Sequence, residues 1–240
     1  MILMVDLYLN LSLLLVIKIN LFKNTSFKFI IMLKQFYENG KIEVGLDEVG
    51  RGCLFGPVCV AGVIWLDDDP IKDNKDYIIR DSKKVSEKKR TLLKDYILEN
   101  SIAYSIQLVD NDYIDKFNIL NSTMTGMHKC LDEITELLSI DTILVDGNHF
   151  EYYSDKYDNY INHVCVVNGD NTYKSIAAAS ILAKTYRDEW INKLVDKNPD
   201  LEKYDLRNNK GYGTKRHLDA IKQYGITRWH RKSFGICNSM

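Results

Sequence analysis

The sequence lacks any paired-cysteine pattern. Its 240 residues include five cysteines, an odd number, and no two of them are spaced as C-x-x-C. No spacing of cysteine and histidine typical of a zinc site is present either. We therefore expect reduced thiols in an intracellular, cytoplasmic protein, and metal chemistry based on cysteine and histidine is disfavoured.

Net charge is also nearly absent. The chain has 32 Lys and Arg against 33 Asp and Glu, a formal net charge of −1. This balance argues against a protein that coats nucleic acid by charge alone, although a local basic face stays open. Residues 203–232 indicate such a face, because nine Lys or Arg stand there against two acids. A solvated helix face is the alternative, but interleaved aromatic residues favour a polyanionic partner.

No segment is suited to crossing a membrane. The apolar stretch LYLNLSLLLVI (7–17) contains Asn10 and is shorter than the roughly 18 to 20 residues that a bilayer requires. It also lacks a basic leader and a small-residue cleavage site. Met32, followed by LKQFYENGKIEVGLDE, is a plausible alternative translation start. We therefore expect residues 1–31 to be a non-essential extension and residues 32–240 to be the functional domain. A membrane or targeting role of the extension is the less favoured alternative.

Strand and helix patterns alternate along the rest of the chain. Strands are predicted at 41–46, 57–66, 102–109, 142–147 and 163–167. Helices are predicted at 86–100, with Ser86 as N-cap, and at 120–138 and 173–196. Such alternation is typical of an α/β fold, and the two adjacent first strands make the sheet mixed. No linker rich in proline or glycine sets off the basic C-terminal region, which we expect to pack on this core as a helical lobe.

The glycine loop in GLDEVGRGCLFGPV (45–58) has three possible roles: a phosphate cradle, part of a metal site, or a turn between strands. It is not a P-loop, because Pro57 follows the last glycine. It is not a dinucleotide fingerprint, because a strand follows and no helix N-terminus is available for a pyrophosphate.

Four acids are candidates for a metal site. Asp47 and Glu48 end the first strand, and Asp146 ends another apolar strand. A lone buried carboxylate is strongly unfavourable, so these strand ends would form a carboxylate pocket if the strands are neighbours. Asp188 shares a helix face with Lys184 and small residues, and a simple salt bridge to Lys184 is its alternative role. A set of ligands that offers only carboxylate oxygens favours Mg²⁺ or Mn²⁺. Two such ions would activate a water molecule and stabilise the leaving oxygen of a phosphodiester, which is the chemistry of a nuclease.

Six segments of the chain resemble the ribonuclease HII family and follow one another in that family's order. They are GLDEVGRGCLFGPVCVAGVI (45–64), DSKKVSEKKR (81–90), LVDGN (144–148), SIAAASILAKTYRDEW (175–190), KGYGTKRHLDAI (210–221) and HRKSF (230–234). The resemblance implies a ribonuclease H-like fold, with a catalytic core at about 41–196 and a helical substrate-binding region at about 197–240.

The resemblance also implies an activity. The family is a metal-dependent endonuclease that cuts the RNA strand of RNA/DNA hybrids and incises at ribonucleotides embedded in duplex DNA. The implied products carry 3′-hydroxyl and 5′-phosphate ends, the implied role is ribonucleotide removal in DNA replication and repair, and a monomer is expected.

The family's functional residues carry over to matching positions. The implied catalytic and metal-binding acids are the four already selected: Asp47, Glu48, Asp146 and Asp188. The implied substrate-binding residues are Gly50, Arg51 and Gly52, which would read a 2′-hydroxyl, Tyr212, which would stack on the neighbouring deoxyribose, and Ser82, Lys83 and Lys184.

Two departures and two rival functions remain. Cys53 stands where proline is common in the family, and Arg228 and Trp229 replace a proline-containing turn. A non-catalytic protein that binds hybrids is one rival, but it gives no reason for four acids. An enzyme that uses a nucleotide cofactor is the other, and it would bind ATP or NAD.

Overall fold

A six-stranded mixed sheet organises the chain. The computed structural model describes residues 33–65, 79 and 85–240. The strands are β1 (Glu43–Val49), β2 (Val58–Ile64), β3 (Ala103–Val109), β4 (Thr142–Asp146), β5 (Tyr153–Ser154) and β6 (Tyr160–Val166), in the order β3-β2-β1-β4-β6-β5. β4 runs parallel to β1 and β6, whereas β2 is antiparallel to both β1 and β3, and β5 to β6. The predicted mixed sheet is confirmed.

Five helices accompany the sheet in the described residues. They are α1 (Glu87–Asn100), α2 (Asn111–Leu137), α3 (Lys174–Lys197), α4 (Leu206–Asn209) and α5 (Lys215–Tyr224), with 3-10 turns at Gly169–Asn171, Pro199–Tyr204 and Gly235–Ser239. Ser86 caps α1 as predicted, because its side chain accepts a hydrogen bond from the Lys89 N–H. α2 begins at Asn111, nine residues before the predicted start at 120. Asn118 interrupts it with a φ of 66°, which breaks the apolar periodicity of its first part.

Helices cover both faces of the sheet. On one face, Leu46 and Val60 pack with Met127 and Ile134 of α2. On the other, Ala61 and neighbouring strand residues pack with the alanine-rich part of α3 and with α1. Small side chains let α3 approach β1 closely: a Cβ on Gly45 would lie 2.4 Å from the backbone nitrogen of Ile176. This close approach places the α3 side chains beside the end of β1.

The C-terminal region is helical, as predicted, and packs on the end of α3. Phe55 and Ile191 share a buried cluster with Leu206 of α4 and Ile221 of α5. Residues Leu33–Met240 form one compact unit. Within the described part of the chain, no helix is long and apolar enough to span a bilayer. All five cysteines are free. The predicted extension 1–31, together with Ser82 and Lys83, lies outside the described residues.

Candidate active site

The parallel pairing of β1 with β4 brings two of the predicted acids to one edge of the sheet. The last registered pair is Leu46 with Val145. One residue further along, the two strands reach Asp47 and Asp146. The two strand ends are therefore neighbours, which is the condition for a carboxylate pocket there.

Asp47 lies in a buried, electronegative position. Only 5% of its surface is exposed, and its Oδ1 accepts a hydrogen bond from the Glu48 N–H at 2.7 Å. Burial raises the pKa of Asp47 well above its usual value, and the charges of Glu48 and Asp146 raise it further. The Ser180 hydroxyl of α3 donates to this carboxylate and opposes the rise. The three acids thus repel one another in the absence of a cation between them.

Glu48 and Asp146 are each held by one neighbour. Arg51 Nη1 lies 3.1 Å from Glu48 Oε1. Burial raises the pKa of Glu48, and the Arg51 guanidinium opposes that rise. Asp146 Oδ1 accepts a hydrogen bond from the Gly169 N–H at 2.7 Å, which fixes its carboxylate at the end of β4. These contacts engage Oε1 of Glu48 and Oδ1 of Asp146, so the second oxygen of each carboxylate can bind a ligand.

Asp188 is buried at the packed face of α3, as predicted, but its charge is balanced within the chain. Lys184 Nζ lies 2.7 Å from Asp188 Oδ1, and Arg90 Nη2 lies 3.4 Å from Oδ2. Asp188 follows Ser180, the α3 contact of Asp47, by eight residues, or about 12 Å along the helix axis. Across residues 33–65, 79 and 85–240, no three or more His, Cys, Asp or Glu side chains are arranged as a metal-binding group. Asp47, Glu48 and Asp146 are thus close enough for their charges to interact, whereas Asp188 is paired with Lys184 and Arg90.

The two glycines of the Gly-Arg-Gly loop have different roles in the fold. Gly50 has a φ of +94°, and a Cβ there would lie 2.2 Å from Arg187 Nε, so only glycine fits. A Cβ on Gly52 would meet nothing within 4 Å. Gly52 is therefore not required by the surrounding chain, and the space that its side chain would occupy is open.

Two fully buried arginines brace this loop. Arg187 of α3 donates to the carbonyls of Pro57, Phe55 and Lys210 at 2.9, 2.9 and 2.7 Å. Arg231 donates to the carbonyls of Gly56 and Arg51 at 2.9 and 2.8 Å. Burial lowers the pKa of Arg231 to about 10. The loop conformation thus depends on cations from α3 and from the C-terminal segment.

Comparison with known proteins decides the family. The model of the Ribonuclease HII family matches residues 44–237. A ribonuclease HII of Christiangramia forsetii is 47% identical over 202 residues, covering 84% of this chain and 94% of that protein. One of Parabacteroides distasonis is 44% identical over 205 residues, covering 85% and 96%. The chain belongs to the ribonuclease HII family. It is therefore a type 2 ribonuclease H, a phosphodiester hydrolase.

Solved structures show the same fold. Ribonuclease H2 from Pyrococcus horikoshii superposes with a TM-score of 0.62 at 21% identity, covering 82% of this chain and 95% of that chain. Bst-RNase HIII, solved in complex with Mn²⁺, gives 0.57 at 20% identity, covering 77% and 63%. The curled mixed sheet with flanking helices is thus the architecture of ribonucleases HII and HIII.

Within this ribonuclease HII fold, Tyr212 lies on the same side of the molecule as the braced loop. Its N–H donates to the Asn209 carbonyl at 3.0 Å, and the preceding Gly211 carbonyl accepts from the Leu54 N–H at 2.8 Å. The side chain is 41% exposed, whereas burial of the hydroxyl raises its pKa to about 12. A ring with a buried hydroxyl and an exposed remainder can present a flat face to a ligand.

Sequence reasoning missed the buried polar groups of this ribonuclease HII fold. Arg187 and Arg231 stand inside segments that resemble the family, but their partners are backbone carbonyls. His217 and His230, also fully buried, lie within the basic segment 203–232, and its charge pattern assigns them no role. For Arg187 a signal was present, because it lies one helical turn from Ala183 and Ile191 on the packed face of α3, where a buried polar group must be paired.

Proposed function

We propose that this chain is an endonuclease that hydrolyses the RNA strand of RNA/DNA hybrids. It also incises duplex DNA at embedded ribonucleotides, leaving 3′-hydroxyl and 5′-phosphate ends, in ribonucleotide removal during DNA replication and repair. The observation that carries the proposal is the juxtaposition of Asp47 and Asp146 at adjacent strand ends with the open Gly-Arg-Gly loop. Family membership supports it.

The open loop supports recognition of a ribose. Because Gly52 has free space where a side chain would be, its backbone can approach a sugar closely and hydrogen-bond a 2′-hydroxyl. Arg51, with a half-exposed side chain, and Lys184 can contact phosphate. Tyr212 offers its exposed ring to the deoxyribose that follows the ribonucleotide. Ser82 and Lys83 stay predictions as phosphate contacts.

The donor set at the strand ends fits Mg²⁺ or Mn²⁺. Asp47, Glu48 and Asp146 offer only carboxylate oxygens, the ligands that these hard cations prefer. Their mutual repulsion, which raises the pKa of Asp47, is relieved by a divalent cation. The Mn²⁺ complex of Bst-RNase HIII, which shares the fold, agrees with this assignment. When bound, the ions supply an activated water and stabilise the leaving oxygen.

Asp188 has a conditional part in this proposal. Both of its oxygens face cationic side chains, so it can bind a metal ion only if Lys184 or Arg90 turns away. Lys184 would then be free to contact the phosphate of the substrate. The proposed metal ligands are therefore Asp47, Glu48 and Asp146, and metal binding by Asp188 stays a prediction.

The substrate class is tested with three duplexes of one sequence: all DNA, DNA with one ribonucleotide, and DNA with one 2′-O-methyl ribonucleotide. The wild-type chain should nick only the second, because the methyl group blocks the hydrogen bond from a bare backbone. A fourth substrate, an RNA/DNA hybrid, should be cut at many positions. Equal nicking of the all-DNA duplex would overturn the proposal. Binding of the ribonucleotide duplex without any turnover would favour the rival non-catalytic role.

A further inference from the structure

A buried histidine pair lies beneath the Tyr212 loop and has no part in the proposed chemistry. His217 of α5 and His230 of the C-terminal segment are both fully buried, and their Nε2 atoms lie 3.2 Å apart. Two rings in such contact must share one proton between the facing nitrogens, because two N–H groups or two lone pairs would repel each other.

The outer nitrogens decide which ring donates. The Thr227 N–H lies 2.9 Å from His230 Nδ1, so that nitrogen accepts, and the proton of a neutral His230 is on Nε2. His230 Nε2–H therefore donates to His217 Nε2. The proton of His217 is then on Nδ1, which lies 2.9 Å from the Tyr212 carbonyl oxygen. One proton on each ring satisfies all four nitrogens in a chain that runs from Thr227 to Tyr212.

The surroundings favour the neutral rings. The rings of Phe55 and Tyr204 pack edge-on against His230, and Tyr204 also contacts His217. Burial lowers the pKa of both histidines, whereas the hydrogen bond to the Tyr212 carbonyl and the charge of Asp205 oppose that change on His217. A second proton on either ring would place an N–H against another N–H, so the chain of hydrogen bonds requires neutrality.

The pair also joins two elements of the proposed substrate site. Phe55 of the glycine loop forms an isolated bridge with His230, and the Arg231 side chain holds the Arg51 carbonyl. At the other end, His217 holds the Tyr212 carbonyl, in a loop flanked by Gly211 and Gly213. Glycine on both sides leaves the Tyr212 backbone little intrinsic restraint, so its position depends on the hydrogen bonds of its N–H to Asn209 and of its carbonyl to Thr214 and His217.

We propose that His217 and His230 are positioning residues that fix Tyr212 relative to the Gly-Arg-Gly loop through a neutral, one-directional chain of hydrogen bonds. The inference rests on the proposed contact of Tyr212 with the substrate. The histidine pair would then keep the Tyr212 ring at a constant distance from the Gly-Arg-Gly loop.

The tautomers are tested directly by nitrogen NMR of the full chain labelled with ¹⁵N-histidine at pH 7.5. His230 should carry its proton on Nε2 and His217 on Nδ1, and the coupling of each proton assigns it to one nitrogen. The opposite tautomers, or a doubly protonated ring, would overturn the proposed chain. This measurement uses the wild-type protein and so does not depend on whether variants fold.

Kinetics test the positioning. His217→Ala should raise KM for a duplex with one ribonucleotide about two- to tenfold, the range for loss of one neutral hydrogen bond, with kcat within about twofold. His217→Asn keeps an N–H near the place of Nδ1, so it should recover part of the lost affinity. Gln223→Ala, an exposed change on the same helix, is the matched control and should leave KM unchanged.

The outcomes separate this inference from the proposed function. If Tyr212→Ala leaves KM unchanged, the substrate contact of Tyr212 is wrong, whatever the tautomers are. If Tyr212→Ala raises KM but neither His217 variant does, the positioning role is overturned while the proposed function stands.

Discussion

Asn in place of Asp47 should abolish cleavage and stabilise the fold. The pKa of Asp47 is raised by burial, and further by Glu48 and Asp146, so its charged form is unfavourable in the folded state. Asn has the same shape without the charge, and its side-chain oxygen can still accept the Glu48 N–H, which lies 2.7 Å from Oδ1. The variant thus loses a metal ligand and removes a repulsion.

The size of the stabilisation follows from linkage. A raised folded-state pKa means that the folded chain holds the proton more tightly than the unfolded chain. Stability is therefore greatest below the unfolded pKa, about 3.9, and is lost as pH rises through the folded pKa. Each pKa unit corresponds to about 1.4 kcal/mol, which is about 3 to 6 °C in Tm for a chain of this length. The Tm advantage of Asp47→Asn should be near zero at pH 4 and should grow by this amount with each pH unit until the pH passes the folded pKa.

The assay is thermal unfolding of both proteins between pH 4 and pH 8 in EDTA. Asp200→Asn, an exposed acid on the turn Pro199–Tyr204, is the matched control and should show no such trend. Adding Mg²⁺ should raise the Tm of the wild type and leave that of Asp47→Asn nearly unchanged, because binding to the folded state stabilises it. A lower Tm for Asp47→Asn at pH 8, or an advantage that does not vary with pH, would refute the reasoning.

Three further predictions concern the loop and its supports. Arg187→Lys should lower the free energy of unfolding, measured in urea, by about 3 kcal/mol, because lysine cannot make all three carbonyl contacts of the guanidinium. A loss below about 0.5 kcal/mol would contradict this prediction. Gly50→Ala should unfold at a lower urea concentration than the wild type, because its Cβ would clash with Arg187. Gly52→Ala should keep wild-type stability but raise KM for a duplex with one ribonucleotide. Equal stability of the two variants would contradict this prediction. Burial lowers the pKa of His230 to about 3. The contribution of the neutral ring to the stability of the fold is therefore complete above the unfolded pKa of about 6.5 and is lost as the pH falls below that value. The unfolding free energy of wild type minus that of His230→Gln should shrink by about 2 kcal/mol between pH 7 and pH 5, and a constant difference would count against a neutral ring.

The strand-end acids could be predicted because their pattern is local. An apolar run that ends in an acid and a glycine marks the point where a buried strand leaves the sheet, as at Asp146 and Gly147. That β1 and β4 are neighbours is set by long-range packing, so the sequence alone allowed the acids to meet but did not require it. The helical face of Asp188 was likewise predictable, whereas its second partner, Arg90, was not.

The partners of the buried arginines and histidines could not be predicted, for a different reason. Arg187 contacts carbonyls of Phe55 and Pro57, more than 100 residues away, and a carbonyl is the same group at every position. No residue type at the partner position therefore signals the contact. Asn118 shows a second limit: one residue in the left-handed region ended the periodicity from which the start of α2 was predicted.

Single-turnover cleavage of duplex DNA with one ribonucleotide tests the central claim most directly. Wild type, Asp47→Asn, Asp146→Asn and Asp200→Asn are compared at equal protein concentration, in Mg²⁺ and in EDTA. We predict one nick with 3′-hydroxyl and 5′-phosphate ends from wild type and Asp200→Asn in Mg²⁺, and none from the other two variants or in EDTA. Cleavage that persists in EDTA, or in both strand-end variants, would contradict a metal site at these carboxylates.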